Sequence, residues 1–350
     1  MEPRAAQWIK SAPDLLLICH HSPDGDALGS LLALGLAIER LPAGQRKNVR
    51  LACADPVRED ARHLPGWERV ITPESAAWAT RADWTAAKLT VSNDAKAATD
   101  AVKLAIISVD CSSPDRLGQA YDAELWAGLP LLNIDHHPTN TCFGQLNWVE
   151  PEAAATSQML VRLIRALNMP LSADIATCLL HGILTDTQGF RTSNTSPDVL
   201  RTAVELMDHG APFTELSGMI FGRRPLKEIQ LWSHALPRMV LHGHILSSEI
   251  TQDLRRRVGY EHEGSAGLVS YLNTANEADI AVVFDERPDN KIGVSIRSVL
   301  GFDVSQVAVS LGGGGHAQAA GCTLSGSLAE VKDQVLPLLH AAWERQAAAR

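Results

Sequence analysis

The apolar positions of this chain follow two rhythms that alternate. Asp14-Leu-Leu-Leu-Ile-Cys-His20 is a continuous apolar run closed by polar residues, and 27–40 carries apolar residues at helical spacing. The pair reads as a strand and its covering helix. Lys103-Leu-Ala-Ile-Ile-Ser-Val-Asp110 and Leu129-Pro-Leu-Leu-Asn-Ile-Asp135 repeat the first rhythm, and each ends on a carboxylate. Runs without polar alternation belong to strands covered on both faces, so an α/β fold with a largely parallel sheet is predicted. Helices are predicted over 153–167, over 172–184 and from Ser196-Pro-Asp to near Gly210; in the last, Ser is a capping residue and Pro occupies the first turn. The segment 213–238 reads as a connecting helical stretch, and strands follow over 239–251, 280–284 and 291–297. Residues 72–99, rich in Ala, Thr and Trp, read as helical or irregular surface structure and carry no information about chemistry.

With 350 residues the chain is long enough for two domains. The reading is a first domain over 1–195, a helical linker over 196–235 and a second, smaller α/β domain over 236–350. Hydrophobic residues make up 45% and charged residues 20%, which excludes disordered and fibrous classes. The apolar runs fall short of the roughly 20 residues that a membrane helix needs. The N-terminus lacks a basic region followed by an apolar one, so a cytoplasmic protein without a membrane partner is expected. The six cysteines, at 19, 53, 111, 142, 178 and 322, contain no Cys-x-x-Cys pair and read as small buried residues. A formal charge of −9 argues against coating long nucleic acid but leaves room for a short anionic substrate at a local basic site.

Candidate chemistry collects at the strand ends. His20-His-Ser-Pro-Asp24-Gly-Asp26-Ala-Leu-Gly-Ser30 lies at a strand-to-helix junction, where open parallel sheets bind their ligands. Alone, this segment fits either a metal site or ordinary turn and capping chemistry. Val109-Asp110, Ile134-Asp135-His136-His137 and Thr185-Asp186-Thr187 are further segments of the same kind. So many carboxylates and imidazoles at one sheet edge repel one another unless cations neutralise them, and a pair of divalent ions is the natural solution.

In order and spacing, these motifs resemble the DHH phosphoesterase family, which takes its name from the Asp-His-His found here as Asp135-His136-His137. Leu311-Gly-Gly-Gly-Gly-His316-Ala-Gln-Ala-Ala-Gly321 is similar to the glycine-rich signature of the family's C-terminal substrate domain, so the resemblance spans nearly the whole chain. It implies a DHH catalytic domain and a smaller substrate domain across a cleft, and two metal ions, usually manganese. His20 and Asp24 would bind one ion, Asp26, His136 and Asp186 the other, and Asp110 would bridge both. His137 would contact the phosphoryl group, with Asp110 its companion in catalysis, and Asp135 would orient an imidazole. Arg297, Ser298 and the segment Gly313, Gly314, Gly315 and His316 would hold the phosphate or nucleoside end of the substrate, the glycine amides forming a nest for an anion. Within the family, two such domains at this length look like the enzymes that trim very short oligoribonucleotides (nanoRNA) and dephosphorylate 3′-phosphoadenosine-5′-phosphate (pAp). The alternative is a cyclic dinucleotide phosphodiesterase acting on c-di-AMP or pApA. Members of the family often dimerise through the catalytic domain, so a homodimer is a further expectation. Thr187-Gln188-Gly189-Phe190 departs from relatives that place glycine directly after the Thr.

Other residues read more plainly. His21 is taken as a packing residue or as support for its neighbour, and His181, His209, His234, His242, His244 and His340 as structural or surface residues. Trp78 and Trp84 read as core or interface, and the basic runs Arg223-Arg224 and Arg255-Arg-Arg257 as solvated faces.

Overall fold

A computed structural model describes residues 1–75, 104–222 and 224–348. Most of 72–99, including Trp78 and Trp84, lies outside the described residues. The chain forms two compact units, Met1–Gly222 and Arg223–Arg350.

In the first unit, β1 (Asp14–Ile18), β2 (Asn48–Ala52), β3 (Val70–Ile71), β4 (Leu104–Val109), β5 (Leu131–Asp135) and β6 (Leu146–Val149) form one sheet of order β3-β2-β1-β4-β5-β6. Every neighbouring pair in it is parallel. The unbroken apolar runs are explained by two cores. Leu15 and Leu17 of β1 enter one core with Ala105, Ile107 and Val109 of β4, while Leu16, Ile18, Leu104 and Ile106 enter the other. The helices Gly25–Glu39, Thr156–Ala166 and Ala173–Asp186 pack together over the first core. The helix Pro197–Asp208 joins them through Val199, Ala203 and Leu206, so the segment read from sequence as the start of a linker is part of this unit.

The second unit is built on a mixed sheet. β7 (Val240–His242), β8 (Ile245–Ile250), β9 (Ile280–Arg287), β10 (Lys291–Ser298), β11 (Gly314–His316) and β12 (Ala319–Ser325) take the order β11-β12-β10-β9-β8-β7, with only β8 and β9 parallel. The stretch 239–251 is thus a hairpin and not one strand, because Gly243 adopts φ 60° in the turn. The helical stretch 213–238 is also broken. It comprises Phe213–Ser217, a wider turn over Gly218–Gly222 and a new helix Leu226–Ala235 capped by Pro225, whose ring keeps the preceding residue out of helical geometry.

Two further sequence readings change in the folded chain. Arg255 is not on a solvated face; it is buried, pairs with Asp285 and donates to the carbonyls of His262 and Gly264. Its neighbours Arg256 and Arg257 are exposed and face Asp253. Cys142 is exposed, whereas the other five cysteines are buried.

His181 is buried with its ring 5.1 Å from that of His63. Burial and then His63 push its imidazole down to about 4 from 6.5. A histidine with a folded value below its unfolded one supports the fold above the unfolded value and loses that support as pH falls toward the folded one. The loss reaches about 3 kcal/mol. His181→Gln is expected to shrink the drop in urea midpoint between about pH 7 and about pH 4.5. An unchanged drop relative to wild type, both measured with chelator present, would rule this out.

Candidate metal centre

The strand ends converge because β1, β4 and β5 are adjacent and parallel, which puts their carboxyl termini on one edge. His20 follows β1 and is buried. Its Nδ1 donates to the carbonyl of His21 at 2.7 Å, which leaves the lone pair on Nε2, 3.5 Å from Asp24 Oδ2 and 3.9 Å from Asp110 Oδ2. Asp24 caps the Gly25–Glu39 helix: its Oδ1 accepts from the amides of Asp26 and Ala27, which turns Oδ2 toward His20.

Asp26, in the first turn of that helix, is fully buried. Its Oδ2 accepts from the Thr156 amide at 2.6 Å and its Oδ1 from the Ser157 amide at 3.0 Å. The carboxylate therefore sits on the positive end of the Thr156–Ala166 helix, where a negative charge is favoured. Asp110 follows β4 with φ 55°, a conformation that costs a non-glycine residue free energy and here aims the carboxylate into the cluster. The Thr156 hydroxyl donates to its Oδ1 at 2.9 Å.

His136 follows β5. Its Nδ1 donates to the Ala153 carbonyl at 3.1 Å, and Nε2 lies 3.0 Å from Asp186 Oδ2, 3.6 Å from Asp110 Oδ1 and 3.9 Å from Asp26 Oδ2. Asp135 is engaged by its own neighbours in the chain. Its Oδ1 accepts from the His136 amide at 2.9 Å and from His137 Nδ1 at 2.8 Å, and its Oδ2 accepts from Asn140 at 2.5 Å. It thereby fixes the orientation and proton position of His137.

Three of the ligand-type groupings at this edge share Asp110, which stands with His20 and Asp24, with Asp26 and His136, and with Asp135 and His137, each with its donor atoms within 4.8 Å of one another. Burial, followed by the charges of Asp26 and Asp24, pushes the proton affinity of Asp110 well above that of an ordinary carboxylate. Burial and then Asp26 push Asp186 up to about 6. Both shifts express negative charge that the protein does not itself neutralise. Among the described residues His20 Nε2, buried and aimed at two carboxylates, has no hydrogen-bond partner. Unneutralised carboxylates beside a bare imidazole nitrogen make a donor set that fits divalent cations.

In the second unit, Arg297 lies on β10 between Ala281 of β9 and Ala319 of β12. Its Nη1 donates to the Ile296 carbonyl, its Nε has no partner among the described residues, and burial lowers its pKa. Ser298 is buried and its hydroxyl donates to the Phe302 carbonyl at 2.5 Å. Gly314, Gly315 and His316 form β11, paired to β12. The amides of Gly312 and Gly313 donate to Val309 and Ala308 at the end of the Ser305–Ser310 helix, so these two do not serve an anion nest.

Sequence reasoning passed over Thr156, Ser157, Asn140 and the Ala153 carbonyl. The one available signal was Ala155-Thr156-Ser157 opening a helix, a pattern too common to mark a site.

Fold and site together define a metal-dependent hydrolase built on an open parallel sheet, with a second α/β unit C-terminal to it. The chain belongs to the DHH family: residues 14–183 match the DHH family N-terminal domain and residues 247–345 match the DHHA1 domain. It is a hydrolase acting on phosphoester bonds. It is 35% identical over 329 residues to the bifunctional oligoribonuclease and PAP phosphatase NrnA of Thermus thermophilus, covering 92% of this chain and 87% of that one. The protein of the same name from Mycoplasma pneumoniae is 27% identical, over 89% of this chain and 88% of the relative. An exopolyphosphatase-related protein from Bacteroides fragilis shares the fold, with a TM-score of 0.78 at 22% identity over 98% of this chain and 95% of that one.

Asp135→Asn is expected to lower kcat by about 10- to 100-fold with metal content unchanged, because the amide supports the wrong proton position on His137. Metal analysis beside steady-state kinetics checks this, and wild-type kcat in the variant would contradict it.

Proposed function

We propose that this chain hydrolyses very short oligoribonucleotides and 3′-phosphoadenosine-5′-phosphate at a centre of two divalent cations. The observation that carries the reading is the extent of the similarity to the Thermus enzyme, which spans 92% of this chain and 87% of the relative and so takes in both units. His20, Asp24 and Asp110 would hold one cation, and Asp26, Asp110, His136 and Asp186 the other, with manganese suited to the mixed imidazole and carboxylate set. Bound there, the ions supply an activated water and neutralise charge developing on the phosphate oxygens. The protein's own part is positional. The Thr156 hydroxyl and the Thr156 and Ser157 amides hold Asp110 and Asp26 in place. Asp135 accepts from Nδ1 of His137 and so fixes the ring with Nε2 on its far side, the atom by which His137 would meet the phosphoryl group. Arg297 and the segment 314–316 are the proposed contacts for the rest of the nucleotide; a half-buried guanidinium without a carboxylate partner among the described residues suits a phosphate.

The test compares manganese-dependent hydrolysis of 3′-phosphoadenosine-5′-phosphate, RNA dimers and trimers, pApA and cyclic di-AMP by the purified protein. Preference for the first two supports the proposal. Preferential opening of cyclic di-AMP would replace it with second-messenger turnover.

A further inference from the structure

The loop after Asp110 carries an arginine that the centre described above does not use. Cys111-Ser-Ser-Pro-Asp-Arg116-Leu-Gly118 leaves the end of β4 and runs between the two segments that carry the imidazoles. On one side the Cys111 carbonyl accepts from Asn133 at 2.9 Å and from Asn140 at 3.1 Å, and the Ser112 carbonyl accepts from the Thr141 amide at 2.8 Å. On the other side the Arg116 carbonyl accepts both the backbone amide of His21, at 2.7 Å, and its ring Nδ1, at 2.8 Å. Gly118, with φ 58°, lets the loop lie flat against His21 and Ala54, since a Cβ there would come within 3.2 Å of each. His21, read in the sequence as a packing residue or as support for its neighbour, is thus the clamp that holds the backbone of Arg116 against the segment that follows β1.

The guanidinium so placed is half-buried. Its Nε is shielded from solvent and has no hydrogen-bond partner among the described residues, and no carboxylate among them lies within ion-pair distance. A shielded cation without a counter-ion is unfavourable in the folded chain and is retained where a ligand supplies the anion. We propose that Arg116 is a substrate-binding residue: it takes a non-bridging phosphate oxygen of the nucleotide on the His20–Asp24 side of the centre. A guanidinium suits this because its planar fork pairs two N–H donors with two phosphate oxygens.

The proposal rests on the phosphoesterase reading but not on the natural substrate. Arg116→Gln and Arg116→Lys are therefore assayed with manganese on bis(p-nitrophenyl) phosphate, a generic phosphodiester, as well as on 3′-phosphoadenosine-5′-phosphate, with Arg256→Gln as an exposed charge control in the second unit. The expected result is a KM, and an inhibition constant for inorganic phosphate, raised about 10- to 100-fold in Arg116→Gln and less in Arg116→Lys. Phosphate should also raise the melting temperature of wild type but not of Arg116→Gln, whose own melting temperature stays at or above that of wild type. Wild-type KM and phosphate inhibition in Arg116→Gln would overturn the proposal, as would a lowered melting temperature, which marks a structural residue. If Arg116→Gln does not fold, wild-type values in Arg116→Lys overturn it equally. Wild type that cleaves the generic ester but neither 3′-phosphoadenosine-5′-phosphate nor short RNA would remove the substrate reading while the generic ester still decides on Arg116.

Discussion

Asp110→Asn is expected to lower metal-dependent phosphoester hydrolysis by about 10³-fold or more while raising the melting temperature of the metal-free protein. Asp110 belongs to the grouping of His20 and Asp24 and to that of Asp26 and His136, so its loss weakens both cation sites at once. The second half of the expectation follows from its burial and from the charges of Asp26 and Asp24, which raise its proton affinity in the fold. A carboxyl raised in this way supports the fold where it is protonated and loses that support as pH climbs through its folded value. At about pH 8 the metal-free wild type therefore carries repulsion that a neutral amide of the same shape removes. The Thr156 hydroxyl still has an acceptor at Oδ1 in the amide. Manganese titration by calorimetry, activity, and melting curves with and without chelator check the two halves separately. Wild-type turnover in Asp110→Asn, or a metal-free variant that melts below wild type, would show that Asp110 is not a shared ligand under charge strain.

Gly182→Ala is expected to lower stability by about 1–3 kcal/mol and activity by about 10²-fold, although residue 182 touches no substrate. Gly182 lies where the Ala173–Asp186 helix crosses the other two. A Cβ built there overlaps Ser157 Oγ and comes within 2.5 Å of Asp26 Oδ1. Relief of that overlap requires the Asp26 carboxylate to leave the Thr156 and Ser157 amides or the helices to separate, and separation also carries Asp186 away from His136. Gly218→Ala, whose Cβ meets nothing within 4 Å, is the control. Equal melting temperatures and equal manganese affinities for the two variants would contradict this account of the helix packing.

Where the reading from sequence succeeded, it relied on local patterns. The runs ending in His20, Asp110 and Asp135 are continuous and apolar because each strand feeds two cores, and a strand that does so shows the pattern whatever its partners. Once the strands are parallel and adjacent, the polar residues that end them must share an edge, which groups His20, Asp110 and Asp135; the choice of His20, Asp24, Asp26, Asp110, His136 and Asp186 as ligands came from the resemblance to the DHH family. Arg255 shows the limit. In the sequence it is one of three consecutive arginines, and only the placement of Asp285 and of the carbonyls of His262 and Gly264 separates it from its exposed neighbours.

The sequence by itself thus determined the α/β class, the apolar strands and the chemical types gathered at their ends, because hydrophobic periodicity is a property of each element taken alone. The tertiary structure decided which oxygen of Asp26 meets the amide of a residue 130 positions away, that Asp135 turns toward His137 and Asn140, and that the backbone of Arg116 is clamped by His21. Such contacts join segments far apart in the chain, and a hydrogen bond of about 3 Å tolerates little displacement. They come into being only when the packing of helices and strands has set the distances between elements, which no pattern within one element records.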